Sequence, residues 1–284
     1  MSAHAGLDAY VIGMVIGAGI LNALWNAIAK YVDDRLIAFA LMGVVATFGG
    51  GLTLLLTGLP PGSAILFAVA SAVLHIGYDL ALMNSYRLGA FNQTYPIARG
   101  TAPLVVAVGA YFLADEHLPG LALSGVVILA AGLMSLAVSS GRLARSDLPA
   151  VGAAVLTGLV IASYTLVDGL GVRRSHDAYA YAALLFFMEG PVLPVVAALR
   201  RPASVWRSVP NLGLGLLAGT LTVVAYAIVL WAQTQAPLAE VAALRETGVI
   251  SAALIGTVLL KERFGVRRVA AAALVATGIV LISL

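Results

Sequence analysis

Residues 92–118 read NQTYPIARGTAPLVVAVGAYFLADEHL, and residues 238–264 read LAEVAALRETGVISAALIGTVLLKERF. Each stretch is an apolar run, long enough to cross a bilayer, that carries one arginine inside it and ends beside a glutamate. An offset of 146 positions pairs identical residues of the two halves: Arg99 with Arg245, Thr101 with Thr247, Glu116 with Glu262, and Gly132 with Gly278. Alanine matches are common in so apolar a chain, but a shared register of Arg, Thr and Glu is not. We interpret the pattern as an internal duplication.

The composition indicates a membrane protein. The 284 residues are 61% hydrophobic and 10% charged, whereas a soluble domain carries roughly a quarter charged residues. Apolar runs of about 20 residues recur along the chain, and this is the length that a helix needs to cross a hydrocarbon core of about 30 Å. The sequence therefore predicts an all-α membrane protein that contacts the lipid bilayer through most of its surface.

Ten spans are predicted, and short polar breaks separate them. They cover residues 10–29, 36–57, 63–86, 91–114, 119–139, 148–170, 178–199, 209–232, 238–260 and 266–284. The break near residues 141–147 divides them into two sets of five. Because five is odd, two such repeats must enter the membrane in opposite orientations, an arrangement that transporters use around a midplane site. We expect five-helix repeats at residues 1–141 and 147–284.

The basic residues predict the orientation. All but four of the 16 Lys and Arg residues lie in the odd-numbered loops; Arg173 and Arg174 lie in even-numbered loops, and Arg99 and Arg245 lie within spans. By the positive-inside rule, the odd loops are cytoplasmic and both termini are extracytoplasmic. The N-terminal run lacks a basic region before it and is interpreted as a retained helix. The net charge of +3 gives no indication of nucleic acid binding.

Polar residues inside spans are the candidate site, because they are costly in lipid unless they face a cavity or one another. Several share a helix face at spacings of three, four or seven residues. The candidates for substrate binding are Asn22, Trp25, Asn26, His75, Tyr78, Asp79, Asn92, Tyr95, Arg99, Tyr164, Asp168, Tyr226 and Arg245. The alternative interpretation for each group is a set of hydrogen bonds that bridges neighbouring helices.

The two arginines need anionic partners or water. For Arg99, the candidates are a substrate carboxylate, Asp79 and Glu189. Glu246 is a poor partner for Arg245 on a regular helix, because adjacent side chains point about 100° apart. Arg245 therefore either faces the cavity or lies near the membrane edge with its head group in water.

Three acidic residues receive separate interpretations. Glu189 is the most deeply placed acid and is the candidate for proton coupling; Gly190 and Pro191 follow it and predict a kink. Glu116 and Glu262 each end a span, where a carboxylate can stabilise the N-terminus of the following helix. We expect the latter two to be structural.

Enzyme signatures are missing. The chain has no cysteine, so it has neither a thiolate metal site nor a cysteine nucleophile. It also lacks HExxH, GxSxG, the Gly-x-Gly-Asp element of intramembrane aspartyl proteases and a phosphate-binding glycine loop. We expect no catalytic residue, metal or cofactor, and we keep a non-transporting receptor or an intramembrane enzyme as the alternative class.

The motifs resemble a known family. Asn22-Ala23-Leu24-Trp25-Asn26 followed by Lys30 is similar to the first-helix signature of the drug/metabolite transporter superfamily, in its EamA-type branch of ten-helix proteins. The tract Tyr95-Pro96-Ile97-Ala98-Arg99-Gly100-Thr101-Ala102-Pro103, with Glu116 beyond it, resembles the fourth-helix motif of that branch. The second copy ends in Lys261-Glu262-Arg263, as such repeats usually do. The resemblance covers essentially the whole chain.

The resemblance implies two inverted repeats, a central cavity and alternating access for a small-molecule substrate, commonly amino acid export across the bacterial inner membrane. We expect aromatic or other neutral amino acids, with Arg99 facing the carboxylate. Sugar-phosphate relatives carry basic residues on the fourth and ninth helices, so an anionic or phosphorylated metabolite remains an alternative substrate. A drug is a further alternative. Ten helices suffice to enclose a cavity in one chain, which is compatible with a monomer.

Overall fold

The computed structural model describes residues 8–31, 34–89, 91–139, 145–202, 212–249 and 266–284. These residues form helices and connecting turns and contain no strand. The helices are α1 (Ala9–Tyr31), α2 (Arg35–Thr57), α3 (Gly62–Leu88), α4 (Phe91–Leu113), α5 (Gly120–Ser139), α6 (Leu148–Ser175), α7 (Ala178–Glu189), α8 (Val192–Arg200), α9 (Leu212–Ala232), α10 (Leu238–Arg245) and α11 (Val266–Ser283).

Helix lengths agree with the predicted spans. Eight helical stretches within the described residues are long and apolar enough to cross a membrane, and α7 and α8 together make one of them. The shorter α11 is also apolar. The ninth span is described only as far as Val249, so most of its predicted length lies outside the described residues. The all-α membrane fold is confirmed.

Local chemistry explains several helix ends. Asp34 precedes α2 and accepts hydrogen bonds from the backbone N–H groups of Leu36 and Ile37, at 3.0 and 3.4 Å. Asp177 caps α7 through the N–H groups of Tyr179 and Ala180. An N-terminal carboxylate satisfies donors that have no partner within the helix. The polar breaks that separate the spans in the sequence are therefore also the residues that begin the helices.

The main contacts between helices of different halves exchange pairwise when the two halves are exchanged. In this exchange α1 corresponds to α6, α2 to the α7–α8 pair, α3 to α9, α4 to α10 and α5 to α11. Helix α3 packs on α6, and its counterpart α9 packs on α1. Helix α2 packs on α9, and α7 packs on α3, while α5 packs on its own counterpart α11. Such pairwise exchange is what a duplicated five-helix unit predicts.

The close approach of α5 to α11 depends on two glycines. A Cβ at Gly125 would lie 2.7 Å from the carbonyl oxygen of Gly278, and a Cβ at Gly278 would lie 2.7 Å from that of Gly125. Gly125 lies near the start of α5, and Gly278 lies near the end of α11. Small residues allow helix backbones to approach closely in lipid, where packing replaces the hydrophobic effect between helices.

Candidate functional site

A cavity lies between the two halves. Helices α1, α3, α4, α6, α7, α9 and α10 all contribute to it. Its volume is about 70 Å³, well below the range of about 300–1,000 Å³ that is common for drug-sized ligands. The lining residues are Ala18, Asn22, Trp25, His75, Tyr78, Arg99, Tyr164, Phe186, Glu189, Thr222, Ala225, Tyr226, Val229 and Arg245. This conformation is therefore narrow, and binding of a substrate requires the lining side chains to move apart.

Eight of the predicted substrate-binding residues line this cavity: Asn22, Trp25, His75, Tyr78, Arg99, Tyr164, Tyr226 and Arg245. The proton-coupling candidate Glu189 lines it as well. Their roles in transport stay predictions. The sequence interpretation missed Ala18, Phe186, Ala225 and Val229 as lining residues, because apolar residues carry no signal inside a span; only their spacing on the inner face of a helix could have indicated them. Thr222 shares a stripe with Tyr226 in the sequence but was not among the candidates.

The other five candidates lie elsewhere. Asn26 is buried and donates to the backbone carbonyl of Asn22, at 2.8 Å, so it acts within α1. Tyr95 lies under Arg99, whose guanidinium carbon is 5.1 Å from the ring centre. Asp79 is half-buried on α3 and is not part of the cavity lining. The side chain of Asn92 falls outside the described residues.

Asp168, the fifth candidate, is fully buried behind the cavity wall. Its Oδ1 accepts a hydrogen bond from the hydroxyl of Tyr181 at 2.9 Å, and its Oδ2 accepts one from Tyr226. The carboxylate thus ties α6 to α7 and α9, which is the bridging alternative. It also holds the ring of Tyr226 in the cavity.

Aromatic side chains from three helices meet at His75. The imidazole stacks on Tyr164, with 4.1 Å between ring centres, and meets Tyr226 edge-on at 5.1 Å. Tyr78 packs edge-on against Tyr164 at 5.6 Å. On the opposite wall, the indole N–H of Trp25 donates to Asn22 Oδ1 at 3.0 Å. The cavity is therefore surrounded by ring edges and faces, with polar atoms at defined places.

The structure corrects the expected partner of Arg99. Arg99 is 4% exposed, and its Nη1 donates to Oε1 of Glu246 at 3.2 Å, with Oε2 at 3.4 Å. Neither Asp79 nor Glu189 is this partner. The prediction failed because Glu246 belongs to the other half of the chain, and only the packing of α4 against α10 brings the two residues together.

Arg245 lies at a helix break and lines the cavity. Helix α10 ends at this residue, and Glu246 follows as the C-cap. Because the regular helix stops here, Oε1 of Glu246 comes within 3.4 Å of Arg245 Nε, which corrects the expectation drawn from a continuous helix. Arg245 is only 5% exposed, so it is buried in the protein and does not lie at the membrane edge.

The guanidinium of Arg245 has unused donors. Its Nε and Nη2 atoms are buried and have no hydrogen-bond partner among the described residues. Glu246 already accepts from Arg99 and is the only carboxylate within ion-pair distance of Arg245 in the described structure. A buried donor without an acceptor is costly. An anionic group entering the cavity would satisfy this guanidinium.

Glu189 contributes an unused acceptor to the same cavity. It ends α7, and Gly190 and Pro191 separate it from α8, so the predicted kink is a break between two helices. Its Oε2 atom is buried without a hydrogen-bond partner and lies 3.7 Å from Nδ1 of His75. By contrast, α4 is one continuous helix despite Pro96 and Pro103. The breaks that face the cavity are those after Glu189 and Arg245.

The two ends of the bundle carry further ion pairs. Glu116 accepts from the backbone N–H of Leu238 at 2.7 Å, and Arg173 Nη1 lies 2.7 Å from its Oε1. Glu116 therefore caps α10 in the other half. This corrects the expectation that it would stabilise the N-terminus of the helix that follows it, α5. Arg173 also donates to the carbonyls of Gln233 and Ala236. Glu262 lies outside the described residues.

At the opposite end, Asp34 pairs with Arg201, whose Nε and Nη2 donate to the carboxylate at 2.7 and 3.2 Å. Partial burial acts to raise the pKa of Asp34, but the hydrogen bonds from Arg201 and from the N–H groups of α2 outweigh it, so the pKa lies below its ordinary value. This pair joins the α1–α2 connection to the end of α8.

The sequence of the second half matches a known family: residues 148–284 fit the family model described as the EamA-like transporter family. This match covers just under half of the chain, and these residues are similar to EamA-like transporters. The long apolar helices make the protein a multi-pass membrane protein, and its cavity lies where the EamA-like half meets the first half. No match to a curated protein was found.

Solved structures share the fold of this EamA-like protein. Similar folds were found in 29 chains. One of them, titled only "Crystal structure of protein", has a TM-score of 0.75 over 96% of this chain and 94% of its own, with 17% sequence identity. At this identity, the likeness shows the fold alone.

Proposed function

We propose that this protein exports amino acids, including aromatic or other neutral ones, across the cell inner membrane by alternating access. The observation that carries the proposal is the pair of unused groups in one cavity. Arg245 offers buried N–H donors, and Glu189 offers a buried carboxylate oxygen. An α-amino acid presents a carboxylate and an ammonium group, so it complements both at once.

The aromatic lining supports the same substrate class. Tyr78, Tyr164 and Tyr226 lie around the cavity with Trp25 and Phe186. Ring faces attract an ammonium group and also pack against an apolar side chain. Because Glu246 serves both Arg99 and Arg245, these three residues leave one positive charge in excess at the described cavity, which favours a carboxylate over the higher charge of a phosphate ester.

The architecture supports alternating access. The cavity lies between halves whose main helix contacts exchange pairwise. We propose repeats at residues 1–141 and 147–284 that rock against each other, with both termini extracytoplasmic. The helix breaks after Glu189 and Arg245 provide places where the backbone can bend.

The test is exchange of radiolabelled phenylalanine in liposomes that contain the purified protein. The competitors are unlabelled phenylalanine, phenylalaninamide and a sugar phosphate. Phenylalanine should compete and phenylalaninamide should not, because the amide lacks the anionic group for Arg245. In the Arg245→Gln variant, phenylalanine should exchange about tenfold or more slowly, since a hydrogen bond to a charged group contributes about 1.5–3 kcal/mol.

The matched control is Arg174→Gln, which removes a guanidinium at the exposed end of α6, over the ring of Phe67. It should exchange phenylalanine at the wild-type rate. Equal competition by phenylalanine and its amide would contradict the carboxylate assignment. If the protein exchanged the sugar phosphate and no amino acid, the result would favour the alternative function, transport of an anionic metabolite.

A further inference from the structure

The contact between His75 and Glu189 brings two titratable groups together inside the cavity. Nδ1 of His75 lies 3.0 Å from the backbone carbonyl of Ser71 and 3.1 Å from its hydroxyl. A carbonyl oxygen only accepts, so Nδ1 carries the hydrogen in the neutral imidazole. The same N–H edge lies 3.7 Å from Oε2 of Glu189. The histidine therefore turns its donor side toward the carboxyl group.

This geometry makes the pair one proton-binding unit. The side chains of His75 and Glu189 are 13% and 20% exposed, and an isolated charge at such a site is unfavourable. With one titrating proton in addition to the hydrogen on Nδ1, the pair is either a carboxylic acid beside a neutral imidazole or a carboxylate beside an imidazolium that carries its second proton on Nε2, and both forms have zero net charge. Loss of that proton leaves a carboxylate with no cation next to it.

Other charged and titratable groups face the pair from each neighbouring helix. They are Asp79 on α3, Tyr164 and Asp168 on α6, Tyr226 on α9 and Arg245 on α10. Asp168 is held by two tyrosine hydroxyls, and Asp79 is not part of the cavity lining. Among these carboxylates, Glu189 is the one that both lines the cavity and keeps an unpartnered buried oxygen.

We propose that the His75–Glu189 pair is a proton site for which the substrate ammonium group competes, so that one proton leaves when one amino acid binds. This inference rests on the proposed function and adds its energy coupling. The ammonium N–H groups donate to Glu189, and the proton departs to water on the side from which the substrate enters. When the substrate leaves on the other side, a proton from that side returns to the pair.

Competition of this kind couples the two fluxes. The cavity holds either the proton or the ammonium group, because both neutralise the same carboxylate. An inward proton gradient would then drive the amino acid outward, which supplies the direction of the proposed export. Arg245 binds the carboxylate of the amino acid when it enters and until it leaves, and its own protonation does not change.

The test measures phenylalanine binding to the detergent-purified protein between pH 5 and pH 9. If one proton competes with phenylalanine, the apparent Kd should rise about tenfold for each pH unit by which the pH is lowered on the acidic side of the titration. Glu189→Gln should bind phenylalanine more weakly and without pH dependence. His75→Gln should keep the pH dependence and shift its midpoint, because the carboxylate remains and loses its neighbour. Asp79→Asn is the matched control and should behave as the wild type.

Proton release gives a second readout. Adding phenylalanine to the protein in weakly buffered solution should acidify it by up to one proton per protein, and Glu189→Gln should release none. Binding with a constant Kd and no released proton would overturn the coupling proposal, while the proposed function would stand.

A measurement without substrate keeps the two proposals separable. Infrared difference spectra between low and high pH should show the C=O band of a protonated carboxylic acid, present in Asp79→Asn and absent in Glu189→Gln. If no amino acid binds but this band is found, the proposed function fails and the proton site stands. If the Glu189 band does not change with pH, the proton site is overturned whatever the protein binds.

Discussion

Arg99 and Glu246 lie 147 positions apart and form an ion pair inside the membrane part of the protein, with Nη1 and Oε1 separated by 3.2 Å. The two side chains are 4% and 1% exposed. Glu246 is also 3.4 Å from Arg245, the duplicated counterpart of Arg99. One carboxylate therefore serves both arginines, and the pair joins α4 of the first half to the end of α10 in the second.

This arrangement predicts that Glu246→Gln is strongly destabilising. The substitution leaves Arg99 buried without its counter-charge, and breaking a buried ion pair by removing one partner costs about 3–5 kcal/mol. The thermal unfolding midpoint in detergent, followed by circular dichroism, should fall sharply. The double variant Arg99→Gln with Glu246→Gln should be more stable than Glu246→Gln alone, because the uncompensated Arg99 charge is gone. A double variant as unstable as the sum of the single variants would contradict the pairing.

The Asp34–Arg201 pair predicts a loss of stability in acid. Because the pKa of Asp34 lies below its ordinary value, its ionised form stabilises the folded protein above the unfolded pKa of about 3.9. That contribution is lost as the pH falls through the lower folded pKa. Since both side chains are about one-third exposed, the effect should be below about 1 kcal/mol and should weaken in high salt.

Two substitutions separate the ion pair from the helix cap. Asp34→Asn keeps a side-chain oxygen for the N–H groups of Leu36 and Ile37 and loses the charge, so only the pH and salt dependence should vanish. Asp34→Ala loses the cap as well and should cost about 1 kcal/mol more. Unfolding midpoints between pH 7 and pH 3, at low and high salt, provide the comparison. A pH dependence that survives in Asp34→Asn would assign it to another carboxylate.

The Arg173–Glu116 cluster predicts a role in closing one end of the cavity. Arg173 joins α6 to the carbonyls at the end of α9, and Glu116 caps α10. Successive helices run antiparallel, so this cluster and the Asp34–Arg201 pair lie at opposite ends of the bundle. Arg173→Gln removes the charged link and should favour the conformation that is open at the α6–α7 end.

Cysteine labelling can measure this opening, because the natural chain has no cysteine. Thr222 lines the cavity, so Thr222→Cys should react faster with a membrane-impermeant maleimide when Arg173→Gln is present. Thr57→Cys, which is exposed at the end of α2, is the control and should be unaffected. Equal rates at Thr222→Cys with and without Arg173 would show that the cluster does not hold the cavity closed.

Replacing a glycine by alanine should have opposite effects at the contact between α5 and α11 and at an open position on α6. Gly125→Ala places a methyl group 2.7 Å from the carbonyl oxygen of Gly278, and such overpacking costs about 1–3 kcal/mol. Gly152→Ala in α6 meets no heavy atom within 4 Å and should stabilise the helix by about 0.5–1 kcal/mol. Unfolding midpoints in detergent measure both. A neutral Gly125→Ala would mean that the helices can move apart without loss.

Most of the fold could be predicted from the sequence because its signals are local. The length of each apolar run and the polar breaks between them indicated the spans. The Asp residues before α2 and α7 are typical caps, and the break after Glu189 follows from Gly190 and Pro191. The limits of local reasoning appear in α4, which is one continuous helix although it contains Pro96 and Pro103, residues that disfavour a helix interior.

The site was predicted in part. Polar residues such as Asn22, His75 and Arg99 line the cavity, as expected of polar groups in lipid, which must face inward; their part in substrate binding stays a prediction. Asn26 satisfied the same rule by bonding within α1, and Asp168 did so by bonding to α7 and α9; sequence periodicity could not separate these outcomes from cavity lining. Lining residues such as Ala18 and Val229 gave no signal.

The sequence by itself determined that the chain crosses a membrane many times, that its halves repeat one pattern and that charged groups such as Arg99 and Arg245 lie inside. Only the tertiary structure decided which charges meet: Arg99 with Glu246, Glu116 with the N-terminus of α10, and Glu189 with His75. The physical reason is that burial and helix formation depend on a residue and its near neighbours along the chain. An ion pair depends on two atoms within about 4 Å, and that distance is set by how helices from different halves pack.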